Sequence, residues 1–165
     1  MKHNLPAGRR GFTLIELLVV IGILAILLAI TLIAINPARQ FGQANNTKRR
    51  SDILQILNAV HQYVAENSGQ LPAEVSGLTA NTTTVFNPTN FPLLCGLLVT
   101  NYLPALPTDP SLNTTTITDC TTGVGGWQET GSTLSTGYAI ARDAANRVTV
   151  SAPTTNNAAV ITVTR

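Results

Sequence analysis

The 165-residue sequence has no Gly-x-Ser-x-Gly elbow, no phosphate-binding P-loop, no His-Glu-x-x-His pair and no Cys-x-x-Cys. The usual signatures of a serine hydrolase, a nucleotide-binding enzyme, a zinc peptidase and a dithiol site are therefore missing. Histidine is scarce: His3 lies near the start, and His61 stands between Val60 and Gln62 without a catalytic or metal-binding partner. A surface or boundary imidazole is the better reading of His61. No enzymatic role, cofactor or metal is called for. Cysteine is limited to Cys95 and Cys120, too few for a disulfide framework. Excess charge of one sign is lacking as well, with ten basic against eight acidic residues and a formal charge of +2. A default partnership with nucleic acid is not indicated. Finally, no charged residue occurs from Leu17 to Ile35.

That last gap belongs to the most informative stretch, Gly11 to Ile35, which reads GFTLIELLVVIGILAILLAITLIAI. As a helix, residues 12–35 would extend ~36 Å, enough for a ~30 Å hydrocarbon core. A basic leader with Lys2, Arg9 and Arg10 precedes it, and one carboxylate, Glu16, interrupts its start. A charge in a membrane helix is disfavoured by ~2.5–3.5 kcal/mol at the bilayer centre and by less near an end. Phe12, Thr13, Val19 and Val20 offer Glu16 no cation. A cut after Gly11 would create one, the new amine of Phe12. An ordinary secretory signal places its apolar region before the cut; here the apolar region follows it.

The hexapeptide Gly11-Phe12-Thr13-Leu14-Ile15-Glu16 resembles the class III signal of type IV pilins and type II secretion pseudopilins. The resemblance implies cleavage after Gly11 on the cytoplasmic side by a prepilin peptidase, which also methylates Phe12. It implies that Glu16 is the assembly carboxylate. It also implies that the domain beyond the membrane is external, which the charges alone leave open, because Arg39, Lys48, Arg49 and Arg50 follow the helix. Loss of Lys2, Arg9 and Arg10 leaves seven basic against eight acidic residues, near −1.

Within the membrane run, Gly22, Ala25 and Ala29 offer a small-residue face for helix packing. Asn36-Pro37 should bend, loosen or break the helix, and Gly42 is a second weak point. The helix then resumes: Ile53, Ile56, Leu57, Val60 and Val64 share one face, with Tyr63 at its edge. Asn67-Ser68-Gly69, with Pro72 beyond, is a stop signal. This stretch resembles the half of the pilin helix that packs under the head. Lys48-Arg49-Arg50 reads as a solvated or inter-subunit face.

From Thr79 onward about a quarter of the positions are Thr, which suits strands and hydrated loops alike. Residues 73–90 read as a loop, and Phe91–Leu103 as one short helix. The segment from Tyr102 to Pro110, of the form YLPxLPxDP, resembles a loop of the G-type pseudopilins; its prolines impose a rigid extended path. Asp109, Asp119 and Glu129 match no calcium-loop spacing and read as turn residues. Trp127 is expected to pack the head. Strands are expected at Thr136–Arg142, Arg147–Ala152 and Ala158–Thr164, closing as a three-stranded antiparallel meander, with a turn from Asp143 to Asn146. An external compartment permits a Cys95–Cys120 bond, with two separate thiols as the alternative.

The expected fold is α+β and pilin-like, a long N-terminal helix on a small antiparallel sheet. Four regions follow: a leader (1–11), a transmembrane and assembly helix (12–35), its amphipathic continuation (36–67) and an external head (68–165). The expected function is structural, as a subunit of a type IV pilus or a secretion pseudopilus. The implied partners are the prepilin peptidase and methyltransferase, other subunits, an assembly ATPase and a platform protein. The subunit would sit in the inner membrane as a single-pass protein before joining a surface or periplasmic fibre. The alternatives are a minor, tip or competence pilin that binds DNA, a surface or a secreted substrate, and a signal-anchored protein that never polymerises.

Overall fold

The computed structural model describes residues 11–99, 101–112, 117–120, 135–153, 155 and 160–165. It divides into two compact units, Met1–Gln40 and Phe41–Arg165. The first is built on α1 (Leu14–Ile35). Its aliphatic run contains no proline, and Thr13 supplies an N-cap with extended backbone. Large apolar side chains are exposed all around α1. Such a helix needs lipid or other helices to cover it. By length and composition Leu14–Ala34 can cross a membrane.

The helix breaks where the sequence suggested. Asn36 takes a left-handed conformation (φ 47°) and ends α1. Pro37 then opens α2 (Pro37–Glu66), at a position where a missing N–H costs nothing. Gly42 does not weaken α2, which runs through it. At the far end Ser68 (φ 55°) and Gly69 (φ 83°) turn the chain out of the helix, and the Gly69 N–H donates to the Val64 carbonyl at 2.8 Å.

In the second unit, Ile53, Ile56, Leu57 and Val60 of α2 are fully buried. They share one core with Phe86, Phe91, Leu94, Leu98, Tyr138, Ile140, Val148 and Val150. The sheet has four antiparallel strands in the order β1 (Thr84–Val85), β2 (Ala139–Arg142), β3 (Val148–Ser151) and β4 (Thr162–Thr164). Val148 and Val150 face the core, while Thr149 and Ser151 are half-buried, the expected alternation. Asp143 and Asn146 form the turn from β2 to β3. The fold class is thus α+β, as expected for a pilin-like chain.

Three expectations need correction. The sheet has four strands rather than three, because Thr84 and Val85 pair with Ile140 and Ala139. Residues 73–90, read as a loop, therefore contain β1, and also α3 (Ala73–Ser76). The helix expected over Phe91–Leu103 is the shorter α4 (Leu94–Leu98). Its first turn is held from outside: the Glu74 carboxylate accepts the N–H groups of Leu93 and Leu94, each at 2.8 Å. Cys95 is joined to Cys120, with Cα atoms 5.5 Å apart. Trp127 and Glu129 lie outside the described residues.

Candidate functional site

The N-terminal site is assembled by the start of α1. Phe12 is 90% exposed. Among the described residues, a side chain built on Gly11 would meet nothing within 4 Å beyond its chain neighbours. Thr13 and Glu16 form a reciprocal capping box. The Glu16 N–H donates to Thr13 Oγ1 at 3.2 Å. Glu16 Oε2 in return accepts the Thr13 N–H and the Thr13 hydroxyl, both at 2.8 Å. Among the described residues no cation pairs with the carboxylate, but it does not lack partners. The signal was present in the sequence: Thr-x-x-Glu before an apolar run is a capping box.

Chemically, this arrangement stores one carboxylate at the mouth of an apolar helix with one oxygen doubly bonded. Two local donors offset part of the desolvation that a bare carboxylate would suffer there. The carboxylate remains an acceptor able to exchange these donors for an amine. Gly22 also meets nothing within 4 Å, so its small size serves no packing among the described residues.

A second polar cluster lies in the head, and sequence reasoning missed it. Arg49, read as part of a solvated basic face, is 1% exposed. Its Nε and Nη2 donate to the two Asp109 carboxylate oxygens at 2.7 and 2.9 Å, and its Nη1 donates to Asn46 Oδ1 at 2.9 Å. Asp109 also accepts the Ser111 N–H at 2.8 Å, so it forms a turn as expected while closing a buried ion pair. Lys48 bridges Asp52 at 2.7 Å and the Thr108 carbonyl at 2.9 Å. The Tyr138 hydroxyl donates to Asp52 at 2.6 Å.

The electrostatics follow from these contacts. Burial pushes the Asp109 carboxyl up, but the hydrogen bonds from Arg49 and Ser111 outweigh it and hold the group below the usual carboxylate range. The hydrogen bond to Asp109 raises the Arg49 guanidinium. Burial, reinforced by the Asp52 carboxylate, drives the Tyr138 phenol well above its ordinary value. The cluster ties α2 to the proline-rich loop and to Tyr138, the residue before β2. It leaves Asp109 committed to protein donors, and among the described residues no group of three His, Cys, Asp or Glu side chains could hold a metal.

Comparison with known proteins bears on the N-terminus. Residues 6–32 match the family described as the prokaryotic N-terminal methylation motif. No curated protein and no solved structure matches the chain. The matched residues include Gly11, Phe12, Thr13 and Glu16 and most of α1. The chain carries a type IV pilin-like class III signal, joined directly to a helix able to span a membrane.

Proposed function

We propose that this chain is a structural subunit of a type IV pilus or a secretion-type pseudopilus. The observation that carries this reading is the methylation motif running without a break into an apolar helix whose first turn holds Glu16. The leader, residues 1–11, stays on the cytoplasmic side of the inner membrane. Residues 12–35 span that membrane, and the rest lies outside. A prepilin peptidase hydrolyses the Gly11–Phe12 bond, and the new amine of Phe12 is methylated. The ATPase and platform protein of the assembly system then move the subunit from the bilayer into the fibre.

Glu16 acts at docking. In the bilayer its carboxylate rests on the two Thr13 donors. In the fibre it meets the Phe12 amine of a neighbouring subunit. Both charges lose water, so the pair's value is register: a misplaced subunit leaves a buried charge unpaired, which is strongly disfavoured. The burial of Arg49 supports this structural reading over a nucleic-acid-binding one, because it removes the middle residue from the only run of three cations.

The test is the ratio of sheared fibre to membrane-held mature subunit, with the wild-type subunit absent. Glu16→Leu should be inserted and cleaved but assemble poorly, and Glu16→Asp should assemble partially. A wild-type ratio for Glu16→Leu would remove the assembly role and favour a lone membrane anchor.

A further inference from the structure

The chain contains three Asn-x-Thr triplets whose middle residue is not proline: Asn45-Asn46-Thr47, Asn81-Thr82-Thr83 and Asn113-Thr114-Thr115. Such a triplet is the acceptor pattern for a saccharide on the asparagine nitrogen. In a sequence this rich in Thr the pattern alone decides nothing, but the fold separates one copy from another.

An acceptor must offer the asparagine carboxamide and the threonine hydroxyl to an enzyme together, with open space for a bulky product. The first triplet fails on these counts. It lies inside α2, where residues two apart point about 200° apart. Asn46 is buried, and the Thr47 hydroxyl donates to the Gln43 carbonyl at 3.0 Å. The third triplet lies outside the described residues.

The second triplet is open. Asn81, Thr82 and Thr83 are all exposed, and among the described residues no hydrogen bond engages their side chains. The turn that carries them is fixed through its main chain. The Asn81 N–H donates to the Arg142 carbonyl at 2.7 Å, and the Thr82 N–H to the Thr79 carbonyl at 3.2 Å. Arg142 Nη2 donates in return to the Leu78 carbonyl at 2.6 Å. Thr83 stands just before the ladder, whose first pair is Thr84 with Ile140. The turn therefore keeps its shape from main-chain contacts and leaves its side chains to solvent. Asn81 has φ 63°, a conformation that itself favours Asn or Gly. That accounts for the residue type at 81, and not for a free hydroxyl two positions on.

We propose that Asn81 is an N-glycosylation site, modified from a polyprenyl-pyrophosphate-linked saccharide. Asn81 Nδ2 forms a C–N bond to the anomeric carbon of the first sugar and gives up one proton. The anomeric C–O bond breaks, and polyprenyl pyrophosphate leaves with the electron pair; nothing is oxidised or reduced. The inference rests on the external placement of the head proposed above and is independent of whether the subunit polymerises.

The test takes the mature subunit from the membranes of the cells that make it. After denaturation and reduction, chymotryptic cuts after Leu78 and Phe86 release residues 79–86. Electron-transfer tandem mass spectrometry should place a carbohydrate mass on Asn81. Asn81→Asp keeps a residue tolerated at positive φ and removes the nitrogen, and Thr83→Val removes the hydroxyl. Each should abolish the modification, whereas Thr83→Ser and Thr82→Val should retain it. Carbohydrate on Thr82 or Thr83 that survives Asn81→Asp would overturn the proposal, since the linkage would then be through oxygen. Protease added to spheroplasts separates this inference from the placement of the head. An unmodified Asn81 in a head open to the protease overturns the glycosylation site alone. A head protected from the protease overturns the external placement along with it.

Discussion

Asp109→Ala tests whether the buried ion pair holds the head together. Asp109 is completely enclosed on its side chain and accepts two hydrogen bonds from Arg49 and two from Ser111, through its N–H and its hydroxyl. Removing it leaves the guanidinium buried with its carboxylate gone, while Nη1 still donates to Asn46 Oδ1. Breaking a buried pair in this way costs about 3–5 kcal/mol, and the surviving Asn46 bond points to the lower end. Arg49→Met removes the charge and keeps apolar volume. The double variant Arg49→Met with Asp109→Ala should therefore be more stable than Asp109→Ala alone, with a coupling of about 1–3 kcal/mol.

The assay is urea unfolding of the full chain in detergent, followed by near-ultraviolet dichroism of the tyrosines. Acid gives a second readout. Asp109 has a lowered pKa in the folded state, so its contribution is present above the unfolded carboxylate value and is lost as pH falls through the folded one. The wild type should lose stability below about pH 4 more steeply than Arg49→Met does. The reasoning fails if Asp109→Ala costs less than about 1 kcal/mol, the range of an exposed pair, or if the two substitutions are simply additive.

Three shorter predictions follow. Gly11→Val should leave folding untouched, since among the described residues nothing beyond its chain neighbours lies within 4 Å of the added Cβ, yet accumulate full-length precursor; mass spectrometry should find methylated Phe12 at the mature wild-type N-terminus. Under denaturing, non-reducing conditions thiol labelling should find no free cysteine, and Cys95→Ser with Cys120→Ser should cost ~3–3.5 kcal/mol for the 25-residue separation; two reactive thiols in the wild type would refute the bond. Gly137→Ala should lower the urea midpoint markedly, because Gly137 has φ +77° and the new Cβ would lie 2.6 Å from Asp109 Cβ and 2.9 Å from Leu112 Cδ1; an unchanged midpoint would show that the loop can move aside.

The α1 and α2 helices and the α+β class were legible because each rests on local physics. An unbroken aliphatic run, a proline after it and an apolar stripe need no knowledge of distant residues. β1 was hidden because two residues of a Thr-rich segment carry no period; they become a strand only through pairing with Ile140 and Ala139, more than fifty positions away. The partners of Glu16 were hidden differently. The neighbouring turn carries no cation in sequence, whereas a hydroxyl and a backbone N–H one turn away suffice.

Arg49 shows most clearly where pattern reading stopped short. Lys48, Arg49 and Arg50 look like a patch, but successive helical residues point about 100° apart and cannot share a face. Followed along the helix, Arg49 lies four residues before Ile53, and Asn46 and Gly42 continue the same spacing. Gly42, Asn46, Arg49, Ile53, Ile56, Leu57 and Val60 are all buried. The buried stripe therefore extends well before its first apolar residue, carried by a glycine, an amide and a guanidinium. Polarity concealed it, since a charged residue is rarely enclosed without a partner. That partner, Asp109, is sixty residues away on a proline-rich loop. The spacing indicates which of the three cations faces inward, and the fold supplies the carboxylate that makes its burial tolerable.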